Sequence, residues 1–242
     1  MKYKTEFSFK RAIIIDAQFL EEMQKQILNY CDNIDYEANL ENGDNIKFES
    51  LKELILFENS KINKFKNIQL AARDSNFDVF ISVYIRVDSI GVRKFYETIS
   101  VSMTTSDLNM KTVFKNNMET LFVRHEQSKS YNFLSRTGVL NLISIAYFIF
   151  MCVYLYKVIS GGFNIENNML NIAAVILIIL FLLKSLLQKG QEKYFPPIVF
   201  YLGDEIQSYN DKKSARKNFF WGFIIAGILA ICSCIGGFII SL

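Results

Sequence analysis

The chain offers little for catalytic or metal chemistry: one histidine, four cysteines and scattered carboxylates. His125 follows Arg124 at the end of a helical stretch, where a cation complements the helix C-terminus. No Cys or carboxylate cluster accompanies it, so neither an acid–base pair nor a metal site is built around it. Cys31 stands alone in the first half, and Cys152, Cys232 and Cys234 fall in apolar stretches without disulfide-framework or zinc-finger spacing. Glu21-Glu22 and Asp204-Glu205 are adjacent pairs, the pattern of solvated charge rather than of acid–base machinery. No phosphate-binding glycine loop, HExxH or GxSxG motif occurs. The expectation is a non-enzymatic protein with no cofactor and no metal. A net charge of +3 gives no nucleic-acid footprint.

The residues best placed for recognition lie on one strand. Phe77, Val79, Ile81, Val83, Ile85 and Val87 alternate with polar neighbours, the clearest period of two in the chain. The other face of that strand carries Phe80, Ser82, Tyr84 and Arg86, which combine aromatic, hydroxyl and cationic groups. Left open, this face is a ligand or partner surface; covered by a helix or a further strand, it is ordinary core.

Residues 1–136 supply the elements around it. Tyr3, Thr5, Phe7 and Phe9 alternate as a strand, and Phe19, Met23, Ile27 and Tyr30 stripe a helix over Asp16 to Cys31. Ile34 to Leu40 and Ile46 to Phe48 read as a hairpin about Asn42-Gly43, a type I′ turn signal. Ser50 and Glu53 have capping-box spacing before a short helix. Strands follow at Ile68 to Ala72 and Ile99 to Met103. A last helix runs from near Ser106 to about His125, with Met110, Val113, Phe114, Met118, Leu121 and Phe122 as its stripe. The pattern predicts an α+β domain: a mainly antiparallel sheet with helices on one face, a split βαβ-like start, and a core closed within residues 1–130.

Residues 137–242 read as a three-helix transmembrane region, with spans at about 137–156, 167–187 and 219–241 and a cytoplasmic loop over 188–218. Phe219 to Leu242 carries no charge; at about 1.5 Å per helical residue it reaches roughly 36 Å, enough for a ~30 Å hydrocarbon core. The start, MKYKTEFSFKR, lacks the apolar run of a cleavable leader. Ten Lys and Arg residues flank the spans on the side of the N-terminal domain and of the 188–218 loop, against Lys157 alone on the other. The positive-inside rule then puts the N-terminus in the cytoplasm and Leu242 outside, in a multi-pass protein of the inner (cytoplasmic) membrane. In the third span Gly222, Ala226, Ala230 and Cys234 recur every fourth residue, with Ser233 and Gly237 beside them. Such rows let helices approach closely, either within the chain or in self-association. Asn141 and Ser144 share a face of the first span as interhelical glue or as the lining of an aqueous path. In the loop, Ile198 to Leu202 is apolar and suits the membrane interface or docking on the N-terminal domain.

The segments SLKELILFENS (Ser50 to Ser60), IQLAAR (Ile68 to Arg73) and FPPIVFYLGDEI (Phe195 to Ile206) give the layout a loose resemblance to bacterial membrane proteins in which a cytosolic α/β domain precedes two to four spans. Some of these act as membrane effectors in antiphage defence. The resemblance implies a cytosolic domain that binds a ligand or protein partner and controls an oligomeric effector or pore in the lipid bilayer. The alternative is a membrane-anchored adaptor that tethers a cytosolic partner.

Overall fold

The computed structural model describes residues 2–60, 62–86, 99–135, 189, 193–218 and 221–222. Its centre is a six-stranded antiparallel sheet in the order β1-β7-β6-β5-β3-β4. The strands are β1 (Tyr3–Phe9), β3 (Asn33–Leu40), β4 (Asn45–Phe48), β5 (Phe65–Arg73), β6 (Phe80–Arg86) and β7 (Ile99–Thr105). Every neighbour is antiparallel, so β1 and β3 run the same way with three strands between them. A split βαβ unit has one strand there, so that part of the expectation gives way to an α+β sheet with another order.

Alternation makes one face of this sheet the core. Ladder partners fall in apolar rows: Phe7, Val101, Val83, Leu70 and Tyr36 in one, and Phe9, Ile99, Ile85, Ile68 and Ala38 in the next. Ile81, Val83, Ile85, Ile99 and Met103 are sealed from solvent. Each such side chain contributes roughly 1.5–3 kcal/mol on burial. Helices α1 (Ala17–Leu28) and α3 (Leu108–Arg124) cover the rows with the stripes their periodicity requires. Phe122 sits among Phe7, Phe9 and Phe19, with ring centroids 5.5 to 6.4 Å apart. Asp16 caps α1 by accepting from the Phe19 N–H at 2.8 Å, and Asp107 caps α3. Ser50 caps α2 (Leu51–Leu56) through the Glu53 N–H; Glu53 reaches back to the Glu49 N–H, one residue before the cap.

Two turns differ from their sequence signals. Gly43 has φ +98°, but Asn42 does not have positive φ, so the turn is not type I′. Instead Leu40 and Asp44 close a longer loop, and the Asn42 side chain accepts from the Asp44 N–H at 3.0 Å. Phe77 belongs to the β5–β6 turn rather than to the strand. It sits at φ 57° and is two-thirds exposed, while Asp74 binds the Val79 N–H at 2.8 Å and pins the hairpin.

A second, parallel sheet has only two strands, β2 (Ile13–Ile15) and β8 (Ile198–Phe200). Ile198, Phe200 and Leu202 join the core cluster of the domain, so the core takes in side chains well beyond residue 130. Asn59, fully buried, donates to the Phe200 and Leu202 carbonyls at 3.4 and 3.5 Å and accepts from the Phe65 N–H at 2.9 Å. Gly203 has φ +55°, and a Cβ there would lie 2.8 Å from the Asn59 backbone nitrogen, so close approach and backbone conformation both require glycine. Helix α4 (Lys129–Ser135) fastens to the same place. Its Asn132 accepts from the Ala12 N–H and donates to Glu126 and the Gln127 carbonyl, and its Tyr131 hydroxyl donates to the Pro196 carbonyl at 3.2 Å. Residues 205–218 form helix α5. Among the described residues, no helix is long and apolar enough to cross a membrane. The stretches 137–156 and 167–187, and most of 219–241, lie outside the described residues.

Candidate functional site

The face of the large sheet opposite α1 and α3 carries polar side chains. Lys4, Glu6, Arg73, Asn33 and Asp35 are exposed there, with Phe80 at 48%, and Ser82, Tyr84 and Arg86 are half-buried. Strand alternation places all four residues of the sequence-derived set on this face. Ser82 and Tyr84 lie within a groove of about 420 Å³, Phe80 stands towards the β5–β6 turn beside Arg73 and Thr104, and Arg86 ends β6.

Cross-strand register adds residues that single-strand reading missed. Ser82 faces Ser102, which faces Glu6; Tyr84 faces Ser100, which faces Ser8. Four serines, one tyrosine and one carboxylate thus line a groove across β6, β7 and β1. The signal was present as the polar half of the alternation in Glu6–Ser8 and Ser100–Ser102, but nothing local tied those strands to β6. Glu6 ion-pairs with Lys4 at the rim. The lining supplies hydroxyl donors and acceptors with one anionic edge and no histidine, which suits hydrogen-bonded recognition of a polar group.

A second polar cluster joins α1 to the end of α3. Arg124 donates to Glu22 at 2.9 Å, and Gln18 donates to the same carboxylate at 3.0 Å. Glu22 is held below the usual carboxylate range, first by the Gln18 hydrogen bond; burial opposes this, and the nearby Arg124 charge adds to the lowering. His125 is the C-cap of α3, as its position in the sequence implied. Its ring stands edge-on to Phe19 at 5.3 Å, and its Nε2, 3.7 Å from Glu22, makes no hydrogen bond. Cys31 is buried, and burial, then the Asp74 and Asp32 charges, push its thiol up to about 11. Among the described residues, no His, Cys, Asp and Glu side chains group as a ligand set.

Of the span-packing residues, Gly222 alone is described; it is helical, exposed and open on its Cβ side. Ala226, Ala230, Ser233, Cys234, Gly237, Asn141 and Ser144 lie outside the described residues. Comparison of the chain with protein-family models, curated proteins and solved structures returns no match.

Proposed function

We propose that this is a non-enzymatic integral membrane protein whose cytosolic domain binds a ligand or protein partner on the open sheet face and controls a self-associating effector in the bilayer. One observation supports the topology within this reading. Ser135 and Phe195 bracket the first two apolar stretches in sequence, and Tyr131 of α4 packs on Phe195 with ring centroids 5.4 Å apart. The described residues that flank the two apolar stretches in sequence therefore lie at one place on the domain. If the stretches span, they cross an even number of times, and the domain and the 188–218 loop share a side. The Lys/Arg bias independently asks for that arrangement. The third stretch follows α5 and, crossing once, puts Leu242 on the opposite side. Antiphage defence is the setting that the sequence resemblance suggests.

Topology reporters test this first: fusions after Leu242 and within residues 158–165 should both read outside the cytoplasm, and a cytoplasmic reading at Leu242 refutes it. Induced expression tests the effector role. Membrane depolarisation or growth arrest supports it, whereas harmless expression with a co-purifying partner favours the tethering adaptor.

A further inference from the structure

We infer that residues 195–218 are a strap that stays docked on the domain while the protein works, so that movement of the sheet is passed as a rigid body to the root of the third apolar stretch. This rests on the membrane reading above. The strap is built into the domain: Phe195, Ile198, Val199, Phe200 and Leu202 are each no more than 6% exposed, and detaching it would bare all five. Its β8 strand is bonded at both ends, by the Ile13 N–H to the Pro197 carbonyl at 3.0 Å and by the Tyr201 N–H to the Ile15 carbonyl at 2.8 Å. Phe200 packs edge-on against Phe65, which lies in the large sheet, so strap and sheet share one packed interior. A close-packed interior transmits displacement rather than absorbing it.

The strap also gathers described residues that flank the apolar stretches in sequence. Tyr131 of α4, just before the first stretch, packs on Phe195 and hydrogen-bonds Pro196, just after the second. Burial pushes the Tyr131 hydroxyl up, and Tyr209 and Arg216 of α5, which precedes the third, lie near enough to bear on it in opposite directions. Arg216, 9% exposed, lies 3.8 Å from the Tyr209 ring centroid and donates to the Tyr209 carbonyl at 2.7 Å, and Tyr209 packs edge-on against Tyr201. A strap that let go would free the third stretch from the other two. A strap that stays makes their cytoplasmic ends move together.

The test uses the full-length protein in native membranes, keeping its own cysteines, with Ile14→Cys and Val199→Cys at paired positions of β2 and β8. Mild oxidation should link these positions in nearly all molecules, as read by peptide mapping against each single variant. The linked protein should depolarise the membrane within about twofold of its reduced form. Incomplete linkage, or activity lost on linking and regained on reduction, overturns the inference, because the strap must then detach. If even the unmodified protein never depolarises membranes, the effector reading falls, and linkage yield alone decides the strap. Hydrogen exchange of the unmodified protein in lipid nanodiscs covers the case in which the double variant fails to fold. Residues 198–200 should be protected within about tenfold of residues 81–85, and exchange within seconds refutes permanent docking.

Discussion

The two sheets of this domain are held by different physics. In the six-stranded sheet, long strands alternate apolar and polar residues, and β3–β4 and β5–β6 are hairpins whose partners are neighbours in sequence. Each such strand declares its buried face locally, and register follows because a one-residue slip would expose the whole apolar row. In the two-stranded sheet, Ile13 to Ile15 and Ile198 to Phe200 are three-residue runs without alternation, paired in parallel across most of the chain. All but Ile14 are buried, so no period marks a face. The large sheet is specified by pattern and the small one by a place to dock.

The sharpest way to break this comparison is to remove the docked partner. A chain ending at Ser135 keeps all six strands of the large sheet but leaves Asn59, Phe65 and the β2 edge uncovered. It should be insoluble, or lose a single cooperative transition in circular dichroism. A soluble, cooperatively folding fragment would show that the small sheet is accessory. Next in size, Phe200→Ala removes the ring that packs on Phe65 at 5.7 Å. It should cost about 3–5 kcal/mol in chemical denaturation, as large as a cut within the main core, because the same interior is opened. Asn59→Ala leaves the Phe65 N–H without its side-chain acceptor and withdraws the donor from two carbonyls. About 1–3 kcal/mol should be lost, with hydrogen exchange quickening around β8 more than around β6.

Smaller effects sharpen the picture at the edges of the core. Cys31 should resist alkylation at neutral pH in the native domain and react on unfolding. Rapid native labelling would mean that the α1–β3 junction is looser than its burial implies. Its raised pKa also has a sign: stability is intact below the thiol's ordinary 9 and is lost as pH rises from there towards about 11. Tyr36, raised by burial from 10 to about 12, extends the same alkaline loss, which Cys31→Ala should reduce at its lower end. Glu22→Gln is the mildest change, expected at about 0.5 kcal/mol near neutral pH, since the Arg124 side chain is largely exposed. Glu22 is held below its ordinary value, so its contribution is present above that value and fades as acid takes the pH through the lowered one. The variant should lose that acid dependence and keep the rest.

The sequence by itself determined the parts whose information is local. Phe19, Met23 and Ile27 recur at helical spacing, Ile81, Val83 and Ile85 at strand spacing, and Ser50 and Asp16 cap the helices they precede. The polar set Phe80, Ser82, Tyr84 and Arg86 was legible for the same reason, since alternation fixes which face a strand residue occupies. Turn detail was less so: Asn42-Gly43 signalled a hairpin, but the Asn42 side-chain bond to Asp44 selected a longer loop. Tertiary structure alone decided the strand order, the serines from β1 and β7 that complete the groove, and the burial of Phe195 to Leu202 on β2. These depend on which surfaces find each other across the whole chain, and an apolar run such as Ile198 to Phe200 suits a lipid interface or a protein core equally. It becomes a strand because the β2 backbone pairs with it, Phe65 packs against Phe200, and Asn59 donates to the Phe200 and Leu202 carbonyls.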